Sequence, residues 1–149
     1  MWIYNMNQIN SLDDIPKDAF GFIYITTHSP SGKRYLGKKS LYHNVKKKLT
    51  KKQLAEQTGR GRKPLTEIVK KESDWKTYYG SEDFIKQKIK EGKQDEFTRS
   101  IVCFAPNKKL LTYYECMWQF KYGVLEDDKW LNTNILGKFF SKDFLDIKI

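Results

Sequence analysis

At 149 residues, 39% hydrophobic and 15% aromatic, the chain is long enough for one domain with a core and too short for two. A formal net charge of +10 and a pI near 9.5 point to a polyanionic partner. No apolar run approaches the roughly 20 residues that span a bilayer, so no membrane is expected. The start, "MWIYNMNQINSLDD", lacks the basic and apolar regions of a signal peptide. Cys103 and Cys116 cannot make a disulfide scaffold, and reduced thiols in a cytoplasmic protein are the expectation. Pooled with His28 and His43, they form no zinc-type spacing.

Residues 1–19 read as an N-terminal extension that ends in "DDIP". "GFIYITT", from Gly21 to Thr27, is β-branched and aromatic and predicts a strand. "HSPSG" is turn chemistry, with Pro30 fixing one dihedral and Gly32 permitting a positive one. "KRYLGKKS" is the returning strand of a hairpin. From Asn44 to Thr58, "NVKKKLTKKQLAEQT" predicts a basic helix capped by Asn44, with Val45, Leu49 and Leu54 or Ala55 roughly on one side. "GRGRKP" breaks that helix.

"SDWKTYYGS" ends in a turn, and its Trp75, Tyr78 and Tyr79 read as core and turn rather than as a base-stacking platform. "SEDFIKQKIKEG" predicts a helix opened by Ser81, with Ile85 and Ile89 one turn apart and Gly92 as the stop. "EFTRSIVCF" is a third strand. "NKKLLTYYECMWQFKYG" is the longest helix, running from an Asn107 cap to Gly123. Its apolar stripe is Leu111, Tyr114, Trp118 and Tyr122. "WLNTNILGKFF" closes a domain of residues 20–140, and 141–149 form a tail. The fold class is α+β (mixed α/β), with a small central antiparallel sheet of about three strands flanked by helices.

Positive charge concentrates between Lys38 and Lys63, and that segment has no large apolar face to match a membrane surface. Glu115 falls at the border of the long helix's stripe, where a carboxylate must be paired, hydrogen-bonded or bound to a cation. Tyr24 and Tyr35 read either as a cross-strand packing pair or as chemistry. Asn132 and Asn134, taken alone, read as turn residues.

In combination these residues resemble a known family. "FIY", then "YLG" with its tyrosine 11 positions after the first, is similar to the GIY-YIG nuclease motif. A glutamate on a later helix and an asparagine beyond it complete the pattern. The array "GFIY…YLGKKS…ESDWKTYYGS…RSIV…YYE…NILG", across roughly residues 20–140, resembles the GIY-YIG domain of Seg-like phage homing endonucleases.

That resemblance implies hydrolysis of phosphodiester bonds in double-stranded DNA with one divalent metal, Mg²⁺ or Mn²⁺. Tyr24 and Tyr35 would lie on adjacent strands with Tyr24 as the base, assisted by Tyr35 or Lys38. Glu115 would hold the metal. Asn132 would support the site, with Asn134 as the alternative. The family's arginine is missing from the predicted first helix, which carries Lys46, Lys47 and Lys48. Arg60, Arg62, Lys38 or Lys39 would replace it. Lys46, Lys47, Lys48, Lys51, Lys52, Arg60, Arg62 and Lys63 would track the DNA backbone, and a homodimer is compatible with the pattern.

Overall fold

The computed structural model describes residues 1–145, so the last four residues of the predicted tail, 146–149, lie outside the described residues. The chain divides into two compact units, residues 1–41 with those from 74 onward, and residues 42–73.

The larger unit is a mixed five-stranded sheet covered by helices. Its strands are β1 (Trp2–Tyr4), β2 (Asn7–Ile9), β3 (Gly21–His28), β4 (Arg34–Ser40) and, after two strands of the other unit, β7 (Phe97–Ala105). They stand in the order β2-β1-β7-β3-β4. The predicted strands β3, β4 and β7 form an antiparallel set, whereas β1 runs parallel to β7. The sheet is therefore wider than the predicted three strands, because residues expected as an extension supply β1 and β2. The signal was present in "WIYNMNQI": Asn5 and Met6 both take positive φ and turn the chain between two short strands. What holds the pair is Trp2, 1% exposed, packed edge-on against Phe22 at 4.9 Å and Tyr24 at 5.4 Å.

Strand alternation sends β3 side chains to two different cores. Ile23 and Ile25 face a cluster with Leu36, Leu111, Val124, Leu125 and Trp130. Phe22 and Tyr24 face Trp2, Trp75 and Tyr78. The pairing of β3 with β7 slips between Ile23 and Tyr24, which oppose Cys103 and Ile101. Val102 is thus the extra residue of a bulge beside Tyr24.

Helix α3 (Lys108–Tyr122) has both predicted ends. The Asn107 side chain accepts from the Leu110 N–H at 2.8 Å, and Gly123 closes the helix at a φ of 58°. Its most buried residues are Leu111 and Gln119, so the inward line is Leu111–Glu115–Gln119 rather than one through Trp118. Helix α2 (Asp83–Lys90) buries Ile85, but Glu82 occupies its cap position in place of the predicted Ser81. A final hairpin pairs β8 (Asn134–Ile135) with β9 (Phe139–Phe140).

The outer edge of β4 is closed by groups from distant parts of the chain. Arg34 N–H donates to the Lys129 carbonyl, and Leu131 N–H donates to the Arg34 carbonyl. Two residues on, Leu36 is met by the Asn132 side chain.

Residues 42–73 form a different structure from the predicted helix. Strands β5 (Tyr42–Lys48) and β6 (Thr66–Glu72) make an antiparallel ribbon. Only Lys51–Ala55 is helical (α1), capped by Thr50 rather than Asn44. Val45 lies opposite Val69 and Lys46 opposite Ile68, so cross-strand pairing decides the conformation. The spacing from Val45 to Leu49 to Leu54, four and then five residues, does not hold one helical face.

Candidate active site

The tyrosine hairpin comes together through a glycine. Tyr24 on β3 is paired with Gly37 on β4, and Tyr35 lies two residues before that glycine on the same face. The rings sit 6.2 Å apart. A Cβ at Gly37 would lie 2.6 Å from the Tyr24 hydroxyl and 2.9 Å from Tyr35 Cε1. The glycine of "YLG" is therefore required by the space the two phenols occupy.

The two tyrosines occupy different environments. Tyr24 is 1% exposed, and burial, with Tyr78 and Tyr35 beside it, pushes its hydroxyl well above the ordinary tyrosine range. This is the reverse of what a proton acceptor needs. Tyr35 borders an open cleft and shares a hydrogen bond of 2.8 Å with Ser81. Burial raises its pKa too, and the Ser81 bond pulls it back. Ser81 thus serves the tyrosine instead of capping α2.

The cleft, about 250 Å³, is lined by Tyr35, Ser81, Glu82, Glu115, Gln119 and Asn132, together with Thr133 and Asn134. Glu115 projects into it from α3. Burial raises its carboxyl pKa, and the nearby Lys38 ammonium and backbone N–H pull it down. Lys38 Nζ stands 3.9 Å from Glu115 Oε1 and donates to Thr112 Oγ1 at 2.8 Å.

The adjacent Lys39 points to the opposite face of the sheet. There it pairs with Asp74 and lies over the Tyr78 ring at 4.0 Å. Of the two lysines after "YLG", only Lys38 attends Glu115. Asp74, in the "SDWK" stretch, is held by Lys39 instead of lining the cleft.

Asn132 is buried and does the work of a strand residue. Its Oδ1 accepts from the Leu36 N–H at 3.0 Å, and its Nδ2 donates to the Leu36 carbonyl at 2.8 Å. Asn134 has a turn role, accepting from the Gly137 N–H at 3.0 Å. The amide that supports the hairpin is thus Asn132.

The remaining basic residues of the sequence reading, Lys46, Lys47, Lys48, Lys51, Lys52, Arg60, Arg62 and Lys63, are all exposed and lie in the second unit. Three residues that the sequence reading missed complete the larger unit's site. Glu82 is a second carboxylate on the cleft, its pKa raised chiefly by burial and then by Asp83. Gln119 stands one turn beyond Glu115, a position that the 111–115–119 spacing marks. Arg99, 3% exposed, donates to the carbonyls of Lys76 at 3.0 Å and Tyr78 at 2.8 Å. It lies over Tyr79 at 4.0 Å and so pins the loop that packs on Tyr24.

The donors around the cleft are hard oxygens: two carboxylates, hydroxyls and amides. Among the described residues no group of three or more His, Cys, Asp and Glu gathers as a metal cage. Such a set fits a cation of the Mg²⁺ class, which binds through one or two carboxylates and keeps water and phosphate as its other ligands.

The family model for the GIY-YIG domain of the putative endonuclease segE matches residues 2–135. No curated protein and no solved structure matches. The family is one of nucleases that generally use a divalent metal. The match takes in the Tyr24–Tyr35 hairpin, Glu115 and Asn132, and the chain belongs to the GIY-YIG endonuclease family.

Proposed function

We propose that the chain is a metal-dependent DNA endonuclease of the phage homing or host-DNA-cleaving type. The observation that carries this reading is the meeting of Tyr35, Glu115 and Asn132, from a hairpin, a helix and a late loop, around one cleft. Glu115 would hold the divalent cation, which supplies charge to oppose that building on the phosphate. Lys38, beside Glu115, is the cation that stands in for the family arginine and adds positive charge there.

Hydrolysis needs an acceptor for the proton of the attacking water. Tyr35 is the phenol at the cleft, and positive charge gathered at Glu115 favours its ionised form. Tyr24 keeps its proton and supports the hairpin from within. Asn132 holds β4 in register, so the Tyr35 and Lys38 side chains stay aimed. The exposed cations of residues 46–63 attract the phosphate backbone of duplex DNA. They are spread along the second unit, where they contribute affinity without chemistry.

A plasmid-nicking assay tests this reading, comparing wild type and Glu115→Ala with Mg²⁺ and with chelator. Cleavage by wild type only, and only with metal, is expected. Equal cleavage by both proteins removes Glu115 from the site. No cleavage by wild type favours a DNA-binding protein on the same scaffold.

A further inference from the structure

Residues 42–73 carry ten Lys and Arg against three Glu, so they supply +7 of the formal +10 from 32 of the 149 residues. None of them is buried. Two strands of seven residues with both faces open are marginal by themselves, and a hairpin of this kind gains most when it lies against a partner. The ribbon's two faces differ.

The register puts Asn44, Lys46 and Lys48 on one face with Thr66, Ile68 and Lys70. The other face carries His43, Val45, Lys47, Glu67, Val69 and Lys71. The first holds three lysines, an amide, a hydroxyl and an exposed isoleucine. Its one carboxylate, Glu72, sits at the end opposite Tyr42. The second opposes Lys47 with Glu67 and pairs two valines.

We propose that this ribbon is a sequence-reading element that lies in the major groove of duplex DNA with its Asn44–Lys46–Ile68–Lys70 face toward the base edges. It rests on the reading of the chain as a DNA nuclease. A two-stranded ribbon fits the major groove, about 12 Å wide, where each base pair shows a distinct pattern of donors, acceptors and methyl groups. Asn pairs with adenine edges, Lys with guanine, and an exposed apolar side chain with the thymine methyl. Ile68, 69% exposed, is otherwise an apolar group left in water. Residues 49–65, with Arg60, Arg62 and Lys63, leave the ribbon's far end, where they meet phosphates. A-form RNA offers no comparable groove, since its major groove is too narrow for side chains to read.

The test uses the full chain. Binding to a duplex of mixed sequence is measured by fluorescence anisotropy in chelator, with methyl green as a major-groove competitor and netropsin as a minor-groove one. Displacement by methyl green alone is expected; displacement by netropsin alone, or tighter binding to an RNA duplex, overturns the proposal. Ends of cleaved plasmid are then sequenced for wild type, for Asn44→Ala with Ile68→Ala, and for His43→Ala with Glu67→Ala on the other face. The first pair is expected to flatten base preference near the cut. The second pair is expected to keep the pattern. An unchanged pattern in the first pair, or equal loss in both, overturns the assignment. Groove-specific binding without wild-type cleavage leaves the ribbon standing and removes the nuclease reading, so the two fail separately.

Discussion

The sheet body and the ribbon of residues 42–73 use positive charge in opposite ways. In the body each buried or half-buried cation has a fixed neighbour: Lys38 with Thr112 and Glu115, Lys39 with Asp74, Arg99 with two carbonyls and Tyr79. In the ribbon ten cations lie along a surface with no buried residue. A fixed cation orients or stabilises one group, whereas an exposed one exchanges counterions for phosphates. On the proposed function the first would govern chemistry and the second affinity.

The largest expected effect separates the two regions outright. Glu115→Gln should abolish metal-dependent cleavage, a loss of at least about 10²-fold. It should also raise the thermal midpoint of the metal-free protein, because it removes a carboxylate that burial disfavours. Nicking assays and thermal melts in chelator check the pair of outcomes. Tyr35→Phe should lower the cleavage rate by about 10²-fold or more, with Tyr24→Phe costing clearly less. The reverse order in single-turnover rates would return the base role to the buried phenol.

Asn132→Ala leaves the Leu36 N–H and carbonyl without partners. At about 1–3 kcal/mol for each group, the melting temperature should fall by several degrees. Lys51→Ala with Arg60→Ala and Arg62→Ala should leave that temperature nearly unchanged and flatten the salt dependence of binding by about 0.9 per lost phosphate contact. Binding titrations at several salt concentrations read this slope.

The smallest effect is on pH. Glu115 holds its proton more tightly in the folded chain than when unfolded. Its contribution to stability is therefore lost as pH rises through the folded value, while its ability to hold a cation is gained over the same range. Metal-dependent cleavage should accordingly rise through a pKa above the ordinary glutamate value of about 4.3. A pH–rate profile on wild type shows the limb.

The body was legible in the sequence where its signals are local. The β3–β4 hairpin has turn residues and aromatic runs, and α3 has a cap at each end. The site was legible only through the spacing of four distant residues, since Tyr24, Tyr35, Glu115 and Asn132 each read singly as packing or turn. Ser81 and Glu82 carry no marker of their own as cleft residues, and Gln119 only its helical spacing from Glu115; they reach the cleft because β4, α2 and α3 converge there. In the ribbon the local signal misled. Lysines and a few scattered apolar residues satisfy a helix window, and "TEIVKKE", the run that pairs with "YHNVKKK", lies beyond the 17 residues 49–65. A pairing across such a gap has no trace inside either window.

The sealing of β4 bears on how copies of this chain can meet. Arg34 and Leu36 direct their backbone groups to a strand-like segment and an amide. No second chain can add a strand there without displacing Asn132. Asn132 therefore also guards the sheet against edge-to-edge aggregation. Its replacement by alanine uncovers a templating edge, and the variant should become prone to self-association.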